Sequence, residues 1–149
     1  MTSELDQQDT MLVRAIVYGI RSHLGDDVAL DVRQDVDGRD YVSVSPVTGQ
    51  DSFLCAHVAA GEVHITDEST VDEKSEDLDE EIDRGEWAVA LVCDLARFGA
   101  ARVRTSRFLP VSLNQLHIFR SDAERRAVLS TSEGRIVGEF RPFVEATLS

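Results

Sequence analysis

The sequence predicts an α+β protein, with two or three helices packed against antiparallel sheet, on three observations. Two segments, near residues 9–24 and 86–98, repeat apolar residues at helical spacing. Between them, short runs alternate apolar and polar residues around Gly-containing turns, the pattern of β-hairpins. A length of 149 residues fits one domain, 1–149, large enough for a core without disulfide or metal staples.

The first helix is expected from about Asp9 to Leu24. Leu12, Ala15, Ile16, Ile20 and Leu24 form its apolar stripe, Arg14 and Arg21 fall off it, and Gly25 is a natural stop. "VALDVRQDVDGRDYVSVSPV" then reads as a hairpin. A two-residue Asp37-Gly38 turn would set Leu30 and Val32 opposite serines. A loop of Val36-Asp37-Gly38 pairs Val32 with Val42 and Leu30 with Val44, and places Gly38 at the left-handed position of a bulged turn. Asp35, Asp37 and Asp40 around Gly38 invite a calcium reading. An EF-hand aligned on that glycine would need acids where Arg33 and Val44 stand, so solvated turn carboxylates are expected instead.

"SFLCAHVAAGEVHIT" predicts a second hairpin turning at Ala60-Gly61. Pairing Val58 with Val63 and Ala56 with Ile65 gathers Leu54, Ala56, Val58, Val63 and Ile65 on one face. The other face carries Cys55, His57 and His64, with the two histidines directly opposed.

Asp67 to Glu86 holds eleven carboxylates against two cations. Ser69 with Asp72 resembles a capping box, and Val71, Leu78 and Ile82 give a thin apolar seam closed by Gly85. The expectation is a weakly docked helix over about 70–84, or a mobile acidic loop at 67–86. Next, Trp87, Leu91, Leu95 and Phe98 mark one side of a central buried helix that ends at Gly99. Strands are expected at roughly 101–108, 114–120, 126–131 and 135–141, the last two joined by Ser132-Glu133-Gly134. Each half would then run one helix followed by about four strands, which suggests an α-β4 pseudo-duplication with "AIVYGI" aligned to "ALVCDL".

Charge excludes some classes of function. A net charge of −13 opposes nucleic acid and anionic membrane, and no apolar stretch approaches the length of a bilayer span. The acidic N-terminus lacks the features of a signal peptide, and Cys55 and Cys93 read as reduced buried thiols. A cytoplasmic location is expected. The charge is also divided: residues 67–86 contribute −9, while Arg97 to Arg141 holds nine arginines against four acids. Arg102, Arg104, Arg107, Arg120, Arg125, Arg126, Arg135 and Arg141 are read as neutralising the acidic half of the protein itself.

No GxSxG, HExxH, GxxxxGK[ST] or strand-linked GxGxxG is present, so no catalytic residue is assigned and an enzyme is the less favoured reading. Cys55, His57 and His64 are the best candidate metal ligands, since Cys and His hold zinc and alternate strand positions could aim them at one point. Four clear ligands are lacking, so no cofactor is expected. Glu76, Asp77, Glu80 and Glu81 are the candidate partner-binding residues. The acidic run reads as a solubilising surface, as a dock for a basic protein partner, or as a DNA mimic. In charge, size and plan the chain resembles secretion-chaperone-like folds and bacterial immunity proteins. The resemblance implies a non-catalytic adaptor of the immunity, antitoxin or chaperone kind. The alternative is a small enzyme or ligand-binding domain, metal-dependent or not, with a site near Cys55, His57 and His64.

Overall fold

The structure, a computed structural model, describes residues 4–47, 53–105 and 114–144. Helix α1 (Glu4–Leu24) precedes four strands, β1 (Val28–Gln34), β2 (Asp40–Pro46), β3 (Leu54–Ala59) and β4 (Glu62–Thr66). Then come β5 (Asp72–Lys74), α2 (Arg84–Phe98), β6 (Ala100–Arg104), β7 (Asn114–Ile118), α3 (Asp122–Thr131) and β8 (Ile136–Phe140). The strands form two antiparallel sheets, a five-stranded meander β1-β2-β3-β4-β5 and a three-stranded sheet β7-β6-β8. The α+β class with antiparallel sheets against helices is therefore what the chain adopts.

Both hairpin registers follow the matched apolar faces. Val32 pairs with Val42 and Leu30 with Val44, and Gly38 has φ +78°. The Asp35 carboxylate accepts the amides of Asp37 and Arg39, so this turn carboxylate is spent on its own loop. In the second hairpin His57 opposes His64 and Val58 opposes Val63, across a turn where Ala60 and Gly61 both have positive φ. The Asp9 carboxylate of α1 accepts both turn amides, at 3.0 and 2.8 Å, tying helix to hairpin.

The inner face of the large sheet presents Val42, Val44, Leu54, Ala56, Val58, Val63 and Ile65, all buried against α1 and α2. Ile16, Ile20 and Leu95 are fully buried, but Trp87, Leu91 and Phe98 are only half-buried. Helix α2 instead turns inward Gly85, Ala88, Val89, Val92, Cys93, Leu95 and Ala96. Small residues win that face because the helices approach closely: a Cβ on Gly19 of α1 would lie 2.6 Å from Val89 of α2.

The acidic segment is not a helix over 70–84. The Asp67 carboxylate accepts the amides of Ser69, Thr70 and Val71, which turns the chain back so that β5 pairs with β4. A 3-10 turn at Ser75–Asp77 follows, and the helix starts only at Arg84, where the Asp83 side chain accepts the Glu86 amide. Gly85 thus lies inside the first turn of α2 rather than after a preceding helix. Residues 126–131 are also not a strand. Ser121 accepts the Glu124 amide as the N-cap of α3, a capping signature present in "SDAE" that outweighs the short apolar run. Val128 and Leu129 of α3 pack with Phe98 against Ala101, Val103 and Phe119. Among the described residues the second half therefore runs α2-β6-β7-α3-β8 in strand order β7-β6-β8, and the plan of the first half is not repeated.

Candidate functional site

The acidic loop between β5 and α2 is held at both ends. The β4–β5 register sets Ser75 opposite Val63, one step beyond the last paired residues, His64 and Lys74. There the fully buried Ser75 hydroxyl accepts the Val63 amide at 2.8 Å and donates to the Glu62 carboxylate. Arg84 closes the other end. Its guanidinium donates to the carbonyls of Asp79, Ile82 and Leu78 at 2.7, 2.8 and 3.3 Å and lies 3.5 Å from Glu62. Nothing in the sequence pattern distinguishes Ser75 or Arg84 from their solvated neighbours, and both were missed.

On this loop Glu76, Asp77, Asp79, Glu80 and Glu81 are exposed. None of the five forms an ion pair among the described residues. The arginines of the second half mostly serve their own surroundings. Arg125 pairs with Glu139 at 3.0 Å, and Arg126 and Arg135 donate to helix α3 carbonyls. Among the described arginines of this half, only Arg102 reaches the acidic segment, donating to the Thr70 carbonyl at 2.7 Å and facing Glu73. Burial nevertheless holds the Glu73 carboxyl above the ordinary range. Arg107 lies outside the described residues. Among the described residues, contact of these arginines with the acidic run is thus confined to Arg102 beside β5, and none of them pairs with the exposed loop.

The outer face of the five-stranded sheet carries the other candidate site. The registers align Arg33, Tyr41, His57, His64 and Lys74 in one row across all five strands. Ring centroids lie 5.0 Å apart for Tyr41 and His57 and 6.1 Å apart for His57 and His64. The His64 Nε2 contacts the Asp72 carboxylate. Burial, then the neighbouring His64, holds His57 below the usual histidine range, so its imidazole is neutral at neutral pH. Cys55 is buried in the next row, and burial pushes its thiol up, away from the thiolate a metal would need. Among the described residues no group of three or more His, Cys, Asp or Glu side chains converges as a metal site, Cys55, His57 and His64 included. His57 and His64 instead line an open cavity of about 320 Å³ with Arg39, Glu62, Lys74 and Glu76.

The molecule is thus an α+β protein with a tied acidic loop, unpaired among the described residues, beside an open polar sheet face. Comparison with family models, with curated proteins and with solved structures finds no match. Among the described residues no helix is long and apolar enough to cross a membrane.

Proposed function

We propose that this protein is a non-catalytic interaction module that receives a basic protein partner on the β5–α2 loop, in the manner of an immunity, antitoxin or chaperone-like adaptor. The observation that carries this reading is the set of five exposed carboxylates without ion pairs among the described residues, on a backbone tied by Ser75 and Arg84. Charge left uncompensated on a surface steers an oppositely charged partner and sets specificity, and a tied backbone lowers the ordering cost of association. The loop carbonyls are already bonded to Arg84, which leaves the side chains as the groups offered outward.

The test is a fourfold neutralisation, Glu76→Gln, Asp77→Asn, Glu80→Gln and Glu81→Gln, followed by recovery of partners from the native cell. The expected result is an unchanged melting temperature with loss of a basic partner, the loss being greatest at low salt. Recovery of the same partner by the neutralised protein would remove this reading. A second reading rests on the cavity beside His57 and His64, whose mixed charges suit a small polar ligand. Zinc or ligand uptake that disappears with His57→Ala or His64→Ala would favour it over the first.

A further inference from the structure

The two edges of the five-stranded sheet are unlike. Strand β5 is three residues long, and all three are charged, so it is a poor template for another strand. Strand β1 is seven residues long, exposed over most of its length, and paired among the described residues only with β2. It carries none of the usual blocks to pairing on its inner face, which holds Leu30, Val32 and Gln34 and no charge or proline.

The backbone direction of this edge is fixed by the turn. The Asp35 amide donates to the Arg39 carbonyl at 2.9 Å, and this pair continues the β1–β2 register. Residues 29, 31 and 33 therefore point their amides and carbonyls at β2, while Leu30, Val32 and Gln34 point theirs at the open edge. Val32 is 50% exposed, and beside it a groove of about 420 Å³ is floored by Val13, Val17 and Tyr18 of α1, with Tyr18 77% exposed. Arg14 and Arg21 also line that groove, their stems able to follow the wall with their charges in water.

We propose that β1 is the interface of a homodimer, in which two copies pair antiparallel about a two-fold axis at Val32 and the two sheets become one of ten strands. This register opposes Val32 with the same residue of the other copy and Leu30 with Gln34, each pair exchanging hydrogen bonds through its outward amides and carbonyls. On the outer face it opposes Asp31 with Arg33 and Arg33 with Asp31, in the pairs where side chains come closest. Within one copy Asp31 and Arg33 already pair at 2.5 Å on an exposed surface, so the dimer shares an existing charge match. The two neighbouring allowed registers, centred on Asp31 and on Arg33, would set carboxylate against carboxylate or guanidinium against guanidinium. Charge complementarity thus favours the second copy of this chain as occupant, and this register over its two neighbours. The two apolar grooves come to lie on the same side of the joined sheet, flanking the new β1–β1 seam.

The test is sedimentation of the full chain across a concentration series reaching roughly 100 micromolar, a range that captures micromolar affinity. Wild type is expected at twice the chain mass. Val32→Arg, at a half-exposed edge position where an arginine stem can lie along the groove, is expected to keep the fold and to sediment as a monomer. Asp31→Arg is expected to weaken association about tenfold by setting like charges opposite, and Asp31→Arg with Arg33→Asp to restore it. Separately, Val32→Cys should form a disulfide-linked dimer on mild oxidation much faster than Val36→Cys, a fully exposed control in the turn, because only the former faces its own copy. Monomeric wild type at every concentration overturns the proposal and leaves the edge to a foreign strand. A dimer unaffected by Val32→Arg, failure of the double reversal to restore mass, or equal oxidation of the two cysteine variants overturns it as well.

Discussion

Replacing Ser75 by alanine tests whether the acidic loop is tied to the body of the protein. The serine is fully buried, and its hydroxyl both accepts the Val63 amide at 2.8 Å and donates to Glu62. In Ser75→Ala the Val63 amide is left buried beside a methyl group, and an unsatisfied buried donor costs about 1–3 kcal/mol. The hydrogen bond to a carboxylate is lost as well, although Glu62 keeps Arg84 at 3.5 Å. The two effects together are expected to cost about 2–3 kcal/mol. For a chain of this size that is a fall of about 4–12 °C in melting temperature. Urea denaturation and thermal melting measure the global effect, and amide hydrogen exchange at Val63 measures the local one. A loss below about 0.5 kcal/mol, the range of ordinary surface substitutions, would refute the tie. Faster exchange at Val63 without any global change would show a loop that opens by itself, the mobile segment the composition suggests.

Gly99 ends α2 at φ +79° and ψ −165°, and a Cβ there would lie 2.3 Å from the Phe140 carbonyl oxygen. Gly99→Ala should therefore cost about 3 kcal/mol or more in urea denaturation, and a loss under about 1 kcal/mol would mean the α2–β6 junction yields. Burial pushes the Cys93 thiol from 9.0 up to about 11. The unfolded chain releases this proton near pH 9 while the folded chain keeps it, so the stability of the neutral thiol is complete below pH 9 and lost as pH rises through 11. Between pH 8.5 and 11 the wild type should lose about 2 kcal/mol more than Cys93→Ala, and equal pH slopes for the two would refute the assignment.

The sequence by itself determined both hairpins to the residue, because a strand shows its two faces with a period of two and only one register keeps an apolar set together. Val32 with Val42 and His57 with His64 needed no knowledge of the rest of the molecule. It likewise determined the existence of α1 and α2 and the density of charge on the acidic run. Two local signals were legible but passed over: the cap at Ser121 that starts α3 and the cap at Asp83 that starts α2. The tertiary structure decided matters that depend on distant partners. The inward side of α2 was set by close approach at Gly19, which favours Ala88 and Val92 over the larger Trp87 and Leu91. The acidic run became strand and loop because β4 presented an open edge to residues 72–74, and hydrogen bonds across that edge outweigh a thin helical seam. The row from Arg33 to Lys74 exists only when five strands are stacked, and the open edge at Val32 only when β1 is outermost. Periodicity carries information about the few residues on either side; which edge is covered is decided by the whole chain.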